Sequence, residues 1–193
     1  MSLAARLREG LGRPASAPPL PGDLPASMGA VTTPAAVLIA VTDRAEPGMI
    51  LTVRREDMRT HAGQVAFPGG RIDPGEDPVA AALREAQEEI LLDPGEVEIV
   101  GAVDPYITVT GYHVTPVCGV IPPDLALQPH EGEVADWFEP PLQFLLDPEN
   151  QQRRSALFRG ATRHYYEILW EDRRIWGATA AMIVNLSRRL QWH

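Results

Sequence analysis

The sequence contains no lysine, and all 17 of its Lys+Arg positions are arginine. Phosphate-binding loops built on a lysine, and Schiff-base chemistry on a lysine amine, are therefore excluded. The abundance of Ala, Gly and Pro marks this absence as a bias of composition rather than a functional choice. Cysteine is nearly missing as well. Cys118 stands alone, which rules out an intramolecular disulfide or a cysteine-rich zinc site and suits a reducing cytosol. Long apolar runs are lacking: the longest, residues 35–41, falls far short of the roughly 20 residues that span a bilayer. No basic start followed by an apolar stretch is present, so no targeting segment is read and a cytoplasmic location is expected. Positive charge is in deficit. The formal charge of −9 repels nucleic acid and anionic membrane, so neither is expected as a partner, and an anionic substrate needs a local cluster of arginines.

What is present suffices for one domain: 193 residues, 45% of them hydrophobic. Residues 3–11 have the pattern of a short helix. Pro14, Pro18, Pro19, Pro21 and Pro25 then forbid regular structure and predict an extended, mobile connector. Residues 1–34 thus read as a Pro/Ala-rich N-terminal extension and residues 35–193 as the folded domain. Residues 36–41 and 49–53 are apolar runs separated by Glu46-Pro47-Gly48, which predicts two strands joined by a turn and neighbouring in one sheet. Residues 97–103, 115–120, 134–138 and 165–170 are further strands by their Val, Ile and aromatic content. Helices are predicted over 78–92 and 178–190; in the second, Met182, Ile183, Leu186 and Leu190 share a face. The fold class is α/β, a mixed sheet covered by helices.

Within the first of these helices, Glu85, Glu88 and Glu89 stand at i, i+3 and i+4, so three carboxylates project from one side within a turn. Such a run is ordinarily a solvated acidic face. A divalent cation is the alternative, since hard oxygen ligands suit Mg²⁺, which shares its shell with substrate phosphates. The surroundings favour the cation: Arg84 can pair with Glu76 and leave the other carboxylates free, and a Gly69 or Gly70 carbonyl can approach a ligand closely.

Gly70, Glu76 and the run Arg84-Glu85-Ala86-Gln87-Glu88-Glu89 match the spacing of the Nudix box, and the chain resembles the Nudix hydrolase family. The resemblance implies an α/β/α sandwich and a metal site. Glu85, Glu88 and Glu89 would bind Mg²⁺ or Mn²⁺ with the Gly69 carbonyl, and Gly70, Glu76 and Arg84 would brace the loop–helix–loop. One position departs from the pattern. Leu91 replaces the usual glycine, so either a left-handed helix end there costs roughly 1 kcal/mol or the helix runs on by part of a turn.

Upstream, Leu51-Thr52-Val53-Arg54-Arg55 and the run from Met58-Arg59-Thr60-His61 through Gly63-Gln64-Val65 to Phe67-Pro68-Gly69-Gly70 resemble the signature of the coenzyme A pyrophosphatase branch. Met58 replaces its usual leucine, and Arg55 stands where a serine is common. Arg54, Arg55 and Arg59 are candidate phosphate grips, because a guanidinium can bind phosphate oxygens with two parallel hydrogen bonds. His61 and Gln64 are candidates for substrate binding or loop shape. The likeness continues through Asp104-Pro105-Tyr106, Thr110-Gly111-Tyr112 and Ile175-Trp176-Gly177, although the apolar spacing assigns Trp176 and the helix after it to the core. Glu133, before the strand at 134–138, is a further candidate ligand or base.

The implied reaction is attack of water on a phosphorus of a nucleoside diphosphate derivative, with Glu88, Glu89 or Glu133 taking the water's proton. For coenzyme A the products are 3′,5′-ADP and 4′-phosphopantetheine. Two alternatives stay open: hydrolysis of NADH, ADP-ribose or nucleoside triphosphates, and a nucleotide-binding module without turnover. The expected partner is a small nucleotide, and a homodimer is left open.

Overall fold

The computed structural model describes residues 1–23, 32–55, 63–158 and 161–192. The chain runs from helix α1 (Leu3–Leu11) into strands β1 (Thr33–Thr42), β2 (Leu51–Arg54), β3 (Val65–Ala66) and β4 (Gly69–Arg71). Helix α2 (Pro78–Ile90) follows, then β5 (Glu98–Ala102), β6 (Tyr106–Ile107), β7 (Tyr112–Ile121) and β8 (Val134–Phe138). A short helix α3 (Leu142–Leu146) leads to β9 (Gln152–Phe158), β10 (Ala161–Trp170), β11 (Arg173–Trp176) and the final helix α4 (Ala178–Leu190).

The central sheet has the order β4-β1-β7-β5, with β6 also on β7. It is mixed: β1 and β7 run parallel over ten residue pairs, and the other pairings are antiparallel. A strand buried on both faces needs an unbroken apolar run, and β1 supplies one. Ala35, Ile39 and Val41 enter one core with α1 and α4, while Ala36, Leu38 and Ala40 enter a second core beneath Ala82, Ala86 and Ile90 of α2. The sheet is therefore sandwiched between helices, the α/β/α arrangement. Two further three-stranded sheets, β3-β2-β8 and β11-β10-β9, flank it. Among the described residues, no helix is long and apolar enough to cross a membrane.

Residues 36–41 and 49–53 were expected side by side in one sheet, and the structure corrects this. β7 takes one edge of β1 and β4 takes residues 35–37 of the other, while β2 pairs with β3 and β8. Only the bridge between Val41 and Met49 and a 3.0 Å bond from Ile50 N–H to the Ala40 carbonyl join the two runs. Trp176 is a second correction. Ile175 takes the core position, and Trp176 on the opposite face of β11 makes an edge contact with Tyr165.

Residues 1–23 of the leader are not a loose connector either, and Pro25 lies outside the described residues. Leu3, Ala4 and Leu7 are buried in the first core. Residues 14–23 lack regular structure, as their prolines dictate, yet they are fastened along α4 and β6. Asn185, fully buried on α4, accepts from the Leu20 N–H at 2.8 Å and donates to the Leu20 carbonyl at 3.0 Å. Asp23 accepts from the Tyr106 hydroxyl at 2.6 Å and the Val109 N–H at 2.9 Å. A side-chain amide that answers both main-chain polar groups of one residue replaces the β-ladder the prolines deny. Asn185→Leu removes both bonds and is expected to lower the unfolding free energy by about 1–3 kcal/mol. Residues 14–23 should then become protease-sensitive, which urea unfolding and mapped limited proteolysis would read.

Candidate active site

Helix α2 begins where its sequence says it should. The Asp77 carboxylate accepts from the N–H groups of Val79 and Ala80 at 2.8 and 3.0 Å, and Pro78 fills the first helical position, where no N–H is needed. Its alanines Ala81, Ala82 and Ala86 let the helix lie close on β1 and β4, which brings Glu85 and Glu89 against the Gly69-Gly70 strand and leaves Glu88 exposed beside them. The Gly70 backbone touches the Glu85 carboxyl so closely that a Cβ there would stand 2.5 Å from Oε1. A side chain at this position would have to displace the Glu85 carboxyl.

Arg84 organises the site. Its Nε and Nη2 grip both oxygens of Glu76 at 3.0 Å, and Nη2 also donates to the Arg71 carbonyl at 3.0 Å. The fork ties the loop before α2 to the helix and holds the Glu76 carboxyl below the usual carboxylate range. Arg84 was expected to pair with Glu76 and leave the other glutamates free. Instead its Nη1 also donates to Glu85 at 2.9 Å and to Glu88 at 3.3 Å, because a guanidinium has five N–H groups and Glu76 engages only two of them.

Glu89 is the buried member of the cluster, 4% exposed. Its Oε2 accepts from the Gly69 N–H at 3.2 Å, and the Arg54 Nη1 lies 3.9 Å from its Oε1. Burial pushes its carboxyl up to about 8; Gly69 and Arg54 pull it down, and the charges of Glu85 and Glu133 push it up further. Glu85 is raised too, by burial first and by Glu88 and Glu133 after the opposing pull of Arg84. Glu133 is exposed, yet it stands within electrostatic reach of both carboxyls.

The turn that carries Glu133 is docked on the end of α2. Helix carbonyls in the last turn lack intrahelical partners. Those of Glu89 and Ile90 accept from the N–H groups of His130 and Gln128 at 2.8 and 3.0 Å. No sequence feature announced these two bonds, because any residue except proline could donate them. Leu91 ends the helix in the left-handed conformation at φ 54° and ψ 31°, with its side chain more than half exposed. Of the two helix ends open to Leu91, the strained one is formed.

The other candidates are placed as follows. Arg54 joins the cluster through Glu89, and the Gln64 carbonyl accepts from the Arg54 N–H at 3.0 Å. The Arg55 guanidinium donates to the Glu131 carbonyl. Arg59 and His61 lie outside the described residues. Among the described residues no three His, Cys, Asp or Glu side chains converge closely enough to grip an ion. The donor chemistry nevertheless fits a divalent cation: four carboxylates gather where burial and mutual repulsion raise two of them, and a cation would relieve both effects. Gripping it requires Glu85 and Glu88 to turn away from Arg84 Nη1.

Two outcomes follow from this geometry. The folded Glu89 carboxyl titrates above its unfolded counterpart, so its contribution to stability is full below about pH 4.5 and is lost as pH rises toward about 8. Thermal unfolding in chelator should therefore show a downward drift across that window, which Glu89→Gln flattens and added divalent cation opposes. Leu91→Gly removes the left-handed strain and is expected to stabilise the protein by up to about 1 kcal/mol, read as a higher urea midpoint.

Comparison with known proteins agrees with this geometry. The NUDIX domain matches residues 32–159. The chain is 45% identical over 157 residues to a protein of Citrobacter koseri described as an uncharacterized Nudix hydrolase, NudL, spanning 81% of this chain and 82% of that one. The protein of the same description from Escherichia coli is 43% identical over the same shares. In fold, the chain is similar to a C. elegans Ap4A hydrolase, with a TM-score of 0.50 and 22% identity over 56% of this chain and 80% of that one. A MutT/nudix family protein from Enterococcus faecalis gives a TM-score of 0.51 at 14% identity over 97% of this chain and 68% of that one. With its loop–helix–loop braced by Arg84 and its glutamates at the end of α2, the chain belongs to the Nudix family of hydrolases, which act on pyrophosphate bonds.

Proposed function

We propose that the protein hydrolyses the pyrophosphate of coenzyme A or its acyl derivatives, releasing 3′,5′-ADP and 4′-phosphopantetheine or its acyl form. The observation that carries this reading is the position of Arg54. It opens the signature resembling the coenzyme A branch, and the structure sets its guanidinium beside buried Glu89, next to Gly69. An acidic protein needs positive charge there to hold a phosphorylated substrate. Arg59, His61 and Gln64 belong to the same proposed substrate-binding run.

Nudix hydrolases use divalent cations, and Mg²⁺ or Mn²⁺ is the ion proposed here. Glu85, Glu88, Glu89 and the Gly69 carbonyl would hold it; when bound, it neutralises pyrophosphate charge and favours ionisation of water. The chain's own groups do the rest. Arg54 orients phosphate oxygens. Arg84 keeps Glu76 and the loop in register, so the glutamates meet the substrate from a fixed helix. Glu133, exposed at the rim of the cluster, is assigned the proton of the attacking water, with Glu88 and Glu89 as the other candidates.

The test is product analysis after incubation with coenzyme A, NADH, ADP-ribose and dGTP, with Mg²⁺ or Mn²⁺, alongside Glu89→Gln. Preferential release of 3′,5′-ADP from coenzyme A, reduced by about 10²-fold or more in the variant, is the expected result. Rapid cleavage of another compound with coenzyme A intact would overturn the substrate assignment and leave the hydrolase.

A further inference from the structure

Arg55 follows Arg54 at the end of β2, and its main-chain N–H and guanidinium both reach the turn at residues 130–133. Its main-chain N–H donates to the Glu133 carbonyl at 3.3 Å, and its guanidinium donates through Nη1 to the Glu131 carbonyl. On its other side the turn is attached to α2, through His130 N–H to the Glu89 carbonyl. Within it, the N–H groups of Glu133 and Val134 both donate to the His130 carbonyl at 3.0 Å. The turn is thus a bridge from the end of α2 to the end of β2, and it carries Glu133.

Electrostatics opposes that bridge. Glu133 is carried within electrostatic reach of Glu85 and Glu89, so like charge pushes the turn off the helix. Main-chain bonds to α2 are neutral, whereas the Arg55 bond is charge-assisted and brings a positive charge to the acidic turn. A serine, common at this place in the signature the sequence resembles, is too short to make it.

We propose that Arg55 is a positioning residue, holding the 130–133 turn so that the Glu133 carboxylate faces the glutamates of α2, and is not a grip on substrate phosphate. The proposal rests on the hydrolase reading with Glu133 as a working carboxylate. It differs from a phosphate grip in what its loss does. A displaced Glu133 lowers the rate of the chemical step, while a lost grip weakens binding.

The experiment combines amide hydrogen exchange with steady-state kinetics on Arg55→Met, Arg55→Lys, Glu133→Gln and the Arg55→Met/Glu133→Gln pair, using whichever pyrophosphate substrate the parent cleaves. Arg55→Met is expected to speed exchange in residues 130–134 by about tenfold or more while α4 exchanges as before. Its kcat should fall by about 10- to 100-fold with KM within about twofold, since a misplacement near 1 Å has that effect on a reacting group. Arg55→Lys should restore part of kcat, and Arg55→Met should cause no further loss once Glu133 is Gln. A KM raised about tenfold with kcat and exchange unchanged would put the guanidinium on the substrate and overturn the proposal. Unchanged exchange alone would also overturn it. Because exchange is measured without substrate, this outcome is separate from a failure of coenzyme A to be cleaved.

Discussion

The guanidinium of Arg84 is the constraint on which the site depends. Helix α2 presents three glutamates within one turn, and the preceding loop brings a fourth, Glu76, so the segment is electrostatically divided against itself. One cation satisfies both oxygens of Glu76, the Arg71 carbonyl, Glu85 and Glu88. Charge-assisted bonds of this kind are stronger than neutral ones and fix orientation as well. The loop is thereby tied to the helix, and Gly70 is pressed against the Glu85 carboxyl, which a larger residue there would displace. Gly70, Glu76, Arg84 and Glu85 form one mechanical unit spread over sixteen positions of sequence.

Around that unit the protein keeps features that work against stability. Glu89 is buried with its carboxyl pushed up to about 8, and exposed Leu91 is held in a left-handed conformation suited to glycine. Strain and buried charge that gather in one place commonly mark a functional site. The surrounding scaffold compensates with apolar packing on both faces of β1, and with a buried polar set on α4 whose members are all bonded. Thr179 donates to the Val65 carbonyl, Ser187 to that of Leu146, and Asn185 holds Leu20. That last set also explains why a helix buried on almost every side contains polar residues at all.

Legibility differed between elements for identifiable reasons. Helix α4 and strand β8 were read with their observed limits because apolar periodicity and bounding turns are local signals. The site residues of α2 were readable for the same reason, since i, i+3 and i+4 spacing dictates a shared face. The assignment of β1 and β2 to one sheet failed, because the sequence shows that a run is apolar without showing which edges its neighbours occupy. Trp176 went the same way: Ile175 and Trp176 are both apolar, and only the facing of β11 decided which of them entered the core. Strand β9 was missed outright, since its residues 152–157 are exposed and carry no apolar alternation.

By itself, the sequence determined the chemistry the chain can offer: a lysine-free, acidic protein with three carboxylates on one helical turn, an arginine and a glutamate spaced to brace them, and glycines where backbone must approach. Those properties follow from residue type and helical geometry, which act over a few positions. Tertiary structure decided what depends on distant segments meeting. It brought the 128–133 segment to the open carbonyls of α2, set Glu133 near Glu85 and Glu89, placed Arg55 on that turn, and fastened the proline-rich leader to Asn185. Main-chain groups make many of these contacts, and a main-chain N–H or carbonyl is the same in almost every residue, so residue identity carries little trace of them.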